Sequence, residues 1–119
     1  MGKPNKIYKS RILYHGGSLP IPSYFQKGKI RLEDGQVEIF AKGKEDKYSI
    51  HLAIPVENIQ RASAYEHKYY SSTAYMVKLE FEGKNSEKED IDLEIRSFGK
   101  RGRARAISQF WAKTLSEKQ

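Results

Sequence analysis

The chain has no cysteine, three histidines, four prolines and one tryptophan among its 119 residues. Without cysteine there is no disulfide framework, no thiolate nucleophile and no thiolate zinc site. His15, His51 and His67 are scattered, and neither HExxH nor a His-x-His pair is present to seed a metal centre. The nucleophile elbow GxSxG and the phosphate loops GxxxxGKS and GxxxxGKT are also missing. No catalytic residue, metal or cofactor is therefore expected. No apolar run approaches the roughly 18 residues of a membrane span. The opening MGKPNKIYKSRIL has no apolar stretch of a signal peptide, and Gly2 lacks Ser or Thr at the myristoylation spacing. The expected compartment is the cytoplasm, with peripheral attachment to a membrane as an extension of it.

Acidic residues are in deficit, 15 against 22 Lys+Arg, for a net charge of +7. That balance favours an anionic partner or surface without naming one. With 38% apolar and 31% charged residues, the composition is that of a globular chain. Its length suits one domain with a sufficient core. Residues 1–6 read as a disordered N-terminus and residues 7–117 as a single domain.

Alternation marks the strands. Ile12, Leu13 and Tyr14 run up to the Gly16–Gly17 pair, and Ile30 and Leu32 share one face. Asp34-Gly35 is a two-residue hairpin signal, because a type I′ turn needs two positive φ angles, and Val37 and Ile39 answer across it. Tyr48, Ile50, Leu52 and Ile54 alternate up to Pro55, which places His51 on the outward face. Ile59 to Tyr65 follows as a further strand. Tyr75, Val77, Leu79 and Phe81 form a strict period-2 face, and Ile91, Leu93 and Ile95 form another. The polar stretch Gly83 to Asp90 is the expected loop between them.

Near position 98 the period changes. Ala104, Ile107, Ser108, Trp111 and Leu115 fall on one helical stripe of about four turns. The expected architecture is mainly β: an antiparallel barrel or sandwich of about seven strands capped by one C-terminal α-helix.

Three stretches, in this order, resemble the pleckstrin-homology-like superfold, in particular its bacterial PH and GRAM-type branch. Gly28 to Phe40 is similar to the G-x-L-x-L-T-x-x-x-L-x-F pattern of the second and third strands. Ile54-Pro-Val-Glu-Asn-Ile59 is similar to an I-P-L-x-x-I segment, and Ala104 to Leu115, with Trp111, to the capping helix. The resemblance covers most of residues 7–117. It implies a binding superfold whose ligands include phosphoinositide head groups, peptides, proteins and occasionally nucleic acid, and fold alone does not choose among them. In phosphoinositide-binding members the first loop supplies basic residues. Here that loop, Gly16 to Gln26, holds no Lys or Arg.

Four groups of residues are candidates for binding. Arg96, Lys100, Arg101, Arg103 and Arg105 lie within ten positions that contain no acid, at a helix entrance where cations are electrostatically unfavourable. They suit a phosphate or other anion, or pair as a solvated turn with Glu87, Glu89, Asp90 or Asp92. A second basic group comprises Lys3, Lys6, Lys9 and Arg11 and, later, Lys27, Lys29 and Arg31. Leu19, Ile21, Tyr24 and Phe25 in the first loop, and Tyr69 and Tyr70 in the stretch Tyr65 to Tyr75, are candidate interface or membrane contacts. Glu80, Glu82, Asp92 and Glu94 alternate along two strands as the outer face of a charged sheet.

The leading expectation is a non-catalytic module whose basic surface engages an anionic protein or membrane surface. A nucleic-acid-binding module using Arg96 to Arg105 and the tyrosine-rich segment is the first alternative. A structural or homo-oligomeric domain is the second.

Overall fold

The computed structural model describes residues 8–18, 26–42, 50–97 and 101–116. Seven strands, β1 (Tyr8–Gly17), β2 (Gln26–Glu33), β3 (Gln36–Lys42), β4 (Ile50–Pro55), β5 (Ile59–Lys68), β6 (Thr73–Glu82) and β7 (Lys88–Arg96), precede one helix, α1 (Arg101–Ser116). The expectation of a mainly β chain ending in a single helix holds.

All pairings are antiparallel, and the strands form one sheet in the order β4-β3-β2-β1-β7-β6-β5. Its two edges, β4 and β5, are consecutive in sequence and joined only by the turn Val56–Asn58. Six strand intervals would separate the edges of a flat sheet by about 29 Å. The four steps from Pro55 to Ile59 reach about 14 Å at most. The sheet must therefore curl on itself, which encloses the core.

The inner face is built by alternation. Ile12 and Tyr14 of β1, Ile30 of β2, Val37 and Ile39 of β3, Val77 and Leu79 of β6 and Ile91, Leu93 and Ile95 of β7 are all buried in one cluster. Helix α1 lies against β5, β6 and β7 and closes that cluster with Ala104, Trp111 and Leu115. Two polar contacts fix its position. The indole N–H of Trp111 donates to Ser10 Oγ at 2.8 Å, and Ser116 Oγ donates to the carbonyl of Ala62 at 3.1 Å.

The β2–β3 hairpin turns as its sequence requires, with φ of 52° at Asp34 and 75° at Gly35. Elsewhere the strands run further than periodicity suggests. Strand β1 continues through Gly16 and Gly17 by a register shift after Tyr14, and β7 begins at Lys88. Strand β5 extends to Lys68, so the tyrosine-rich connection shrinks to residues 69–72. Its second half carries Glu66 and Lys68 on the inner-face register, where no apolar period marks it as a strand.

Strand β6 buries Ala74 and Met76 as well as Val77, Leu79 and Phe81. The first two lie on the opposite, outer face, outside the main cluster. Tyr65 on β5 reaches across β6 to donate its hydroxyl to Asp92 Oδ1 on β7 at 2.7 Å. This places a phenol over the Met76 level of the outer face. Leu19, Ile21, Tyr24, Phe25, Lys100 and the N-terminal segment lie outside the described residues.

Candidate functional site

The outer face of β1, β2 and β7 follows from parity. Since Ile12 and Tyr14 point into the core, Arg11 points out. Register does the rest: Arg11 stands opposite Lys29 of β2 on one side and Arg96 of β7 on the other. Three cations thus form one line across three adjacent strands, spanning about 10 Å. Lys27, two residues before Lys29, adds a fourth. These residues, with Ile12, Gly28 and Ser97, line a groove of about 450 Å³. Like charges directly opposed across strands cost stability. In register the row sets cation against cation, and a bound anion would relieve that repulsion.

Acids stand in the rows on either side, Glu38 in one and Glu94 in the other. Arg31 donates its guanidinium to Glu38 on β3, with Nε at 3.0 Å from Oε1. This bond, more than their simple attraction, holds the Glu38 carboxyl below its usual value and raises the Arg31 guanidinium. Glu33 and His51 stand further off, each at 3.6 Å from its partner in this group. On the other side, Glu94 faces His15 at 2.8 Å and Arg96 at 3.4 Å. Lys29, by contrast, lies opposite Arg11 and Phe40, and Lys27 opposite Leu13 and Lys42.

Three of the acids considered as partners for the basic segment, Glu89, Asp90 and Asp92, have partners elsewhere. Ser18 Oγ donates to Glu89 at 2.7 Å, and its backbone N–H donates to Asp90 at 3.0 Å. Lys78 lies 3.5 Å from Asp90, and Tyr65 binds Asp92. Glu80 faces Asp90 on the outer surface.

The basic segment itself divides. Arg96 joins the groove. Arg103 and Arg105 are exposed on α1, and among the described residues the groove lining includes neither. Arg101 starts α1, and its side chain lies outside the described part, as does Lys100. The structure thus brings Arg96 to Arg11, Lys27 and Lys29, residues 67 or more positions earlier in the chain. The sequence signal was the outward parity of Arg11, Lys27 and Lys29; the missing information was which strands lie side by side.

At the far end of β5 and β6 the residue 69–72 turn is closed by a bond from the Tyr69 N–H to the Ser72 carbonyl at 2.8 Å. Tyr70 is fully exposed there, and Tyr69 packs edge-on against His67 with ring centres 4.6 Å apart. Across the molecule Phe40 stacks on His51 at 4.5 Å, with the Arg31 guanidinium 5.6 Å over the Phe40 ring. Inside the core, Tyr14 is fully buried and its hydroxyl has no hydrogen-bond partner among the described residues. Burial, and then the charges of Asp90 and Asp92, push its ionisation up.

Among the described residues no three His, Asp or Glu side chains gather as a metal site, and no helix is long and apolar enough to cross a membrane. No protein-family model matches the chain, and a search of curated proteins finds no match.

Proposed function

We propose that the chain is a non-catalytic binding module of the pleckstrin-homology-like type that engages an anionic partner through its basic surface. Strand order, the curled antiparallel sheet and the Trp111-bearing helix against its open side support the architectural part. The observation that carries the functional part is the row Lys29, Arg11, Arg96, with Lys27 beside it, around one groove. Four exposed cations, of which Lys27 and Lys29 face no acid in register among the described residues, suit phosphates or carboxylates presented together. The classes of partner with that chemistry are an acidic protein segment, an anionic membrane surface and a nucleic acid.

A polyanion panel tests this reading. Polyglutamate, anionic vesicles and an oligonucleotide are titrated at low salt into the wild type and a Lys29→Glu, Arg96→Glu variant. At least one should bind the wild type and lose most of its affinity for the variant. Equal binding by both proteins would remove the groove from the reading.

A further inference from the structure

Three rings of the outer face, those of His67, Phe40 and His51, fall into line with the cationic row. On β5, His67 stands opposite Ala74 of β6. Ala74 and Arg96 each lie two residues beyond the Met76–Glu94 pair, on the same face and toward the same end. Arg96 faces Arg11, Arg11 faces Lys29, Lys29 faces Phe40, and Phe40 faces His51. One line thus crosses all seven strands: a ring, a small residue, three cations and two rings. Tyr69 extends the first ring by packing on His67. From His67 to Phe40 the line runs about 24 Å along the sheet.

We propose that this line is a track for single-stranded nucleic acid, with phosphates on Lys29, Arg11 and Arg96 and bases against the rings at its two ends. The proposal rests on the reading of the groove as an anion site and names its partner. Cations flanked by aromatic faces are what an unpaired strand needs, because every base offers a π-face beside a charged backbone. An acidic peptide would use the cations and leave the rings without a role. A flat bilayer cannot touch both ends of a row on a sheet that curls around its core. A duplex keeps its bases stacked inside, away from His67 and Tyr69. The closed turn at residues 69–72 holds the tyrosine end in place before binding, which limits the ordering cost.

The test is fluorescence anisotropy with a labelled oligouridylate, the matching DNA strand and a duplex, between about 50 and about 200 mM salt. Single strands should bind, with log K falling against log salt at a slope of about −2 to −3, from three or four phosphates at about 0.7 each. The duplex should bind more weakly. His67→Ala with Tyr69→Ala, both at exposed positions, should weaken single-strand binding about tenfold and leave the slope unchanged. Lys29→Glu should lower both affinity and slope. Circular dichroism confirms that each variant is folded. Equal binding of duplex and single strand overturns the proposal and leaves the anion groove standing, as does a ring variant with full affinity or a preference for polyglutamate or anionic vesicles. Failure of every polyanion to bind at low salt overturns both readings.

Discussion

Trp111 and Ser10 are 101 positions apart in sequence and 2.8 Å apart in space, joined by an indole N–H that donates to a serine hydroxyl. The bond crosses from the last element to the first strand. It explains why a fully buried tryptophan is tolerated in the core with a polar atom attached. Ser10→Ala leaves that N–H buried and unpaired, at a cost of about 1–3 kcal/mol. Trp111→Ala also opens a cavity and should cost about 3–5 kcal/mol. Urea unfolding of both single variants and the double variant measures the two terms. The double variant should cost less than the sum, since the serine contact can be lost only once.

Two glycines separate crowding from conformation. A Cβ on Gly28 would sit 1.7 Å from the Phe40 carbonyl oxygen and 2.7 Å from Ala41 Cα, both backbone atoms of β3. Gly28→Ala must part the two strands and should cost about 3 kcal/mol or more. Gly35 has open space around it and a φ of 75°, so Gly35→Ala meets only left-handed strain, about 1–2 kcal/mol. Thermal melts should rank Gly28→Ala clearly below Gly35→Ala. The same substitution should weaken anion binding, because Gly28 lines the groove.

The inner face was readable because the apolar residues of β3, β6 and β7 alternate without interruption, and the Asp34–Gly35 turn because its backbone demands are local. The end of β5 was not readable. Glu66 and Lys68 occupy its inner-face register where the strand runs past the core, so polarity there imitates a loop. The groove was half readable. Arg96 stood out by local charge density. Its partners Arg11, Lys27 and Lys29 were visible as basic residues, but only the β2-β1-β7 adjacency brings them to Arg96. No window of sequence contains a pairing between positions 11 and 96. Met76 was hidden for a related reason: it belongs to the polar parity of β6, yet it is buried there opposite Tyr65 of the neighbouring strand.

Tyr65 and Tyr14 should make the alkaline titration uneven. Burial first, and then the bond to Asp92, push the Tyr65 phenol well above its ordinary value near 10; burial does the same for Tyr14. A folded-state value raised above the unfolded one means that the neutral phenol is favoured by folding. The associated stability is complete below about pH 10 and is lost as pH rises from there through the folded value. Absorbance near the phenolate band should show at least two of the eight tyrosines ionising late, with a loss of stability beginning above about pH 10. Tyr65→Phe should remove one late phenol and flatten that loss. A titration in which all eight ionise together would contradict the assignment.

The cationic row sets binding against stability at one position. Lys29 faces Arg11, which faces Arg96 in turn; opposed like charges on a sheet cost about 0.2–1 kcal/mol each. Lys29→Glu replaces one repulsive pair with an attractive one, on an exposed side chain with nothing to repack. The variant should therefore be more stable than the wild type by roughly that amount, a rise in Tm of about 1–4 °C for a chain of this size. It should at the same time lose most of its affinity for anions. Salt gives the control. Added salt screens exposed charges, so it should raise the wild-type Tm and narrow the gap between the two proteins. A Lys29→Glu protein that is less stable at low salt would mean that the lysine is held by a favourable contact. A variant that is more stable and still binds would place the anion elsewhere on the surface. The predicted combination, gained stability with lost binding, is the signature of a site whose charges are kept for a ligand at the expense of the fold.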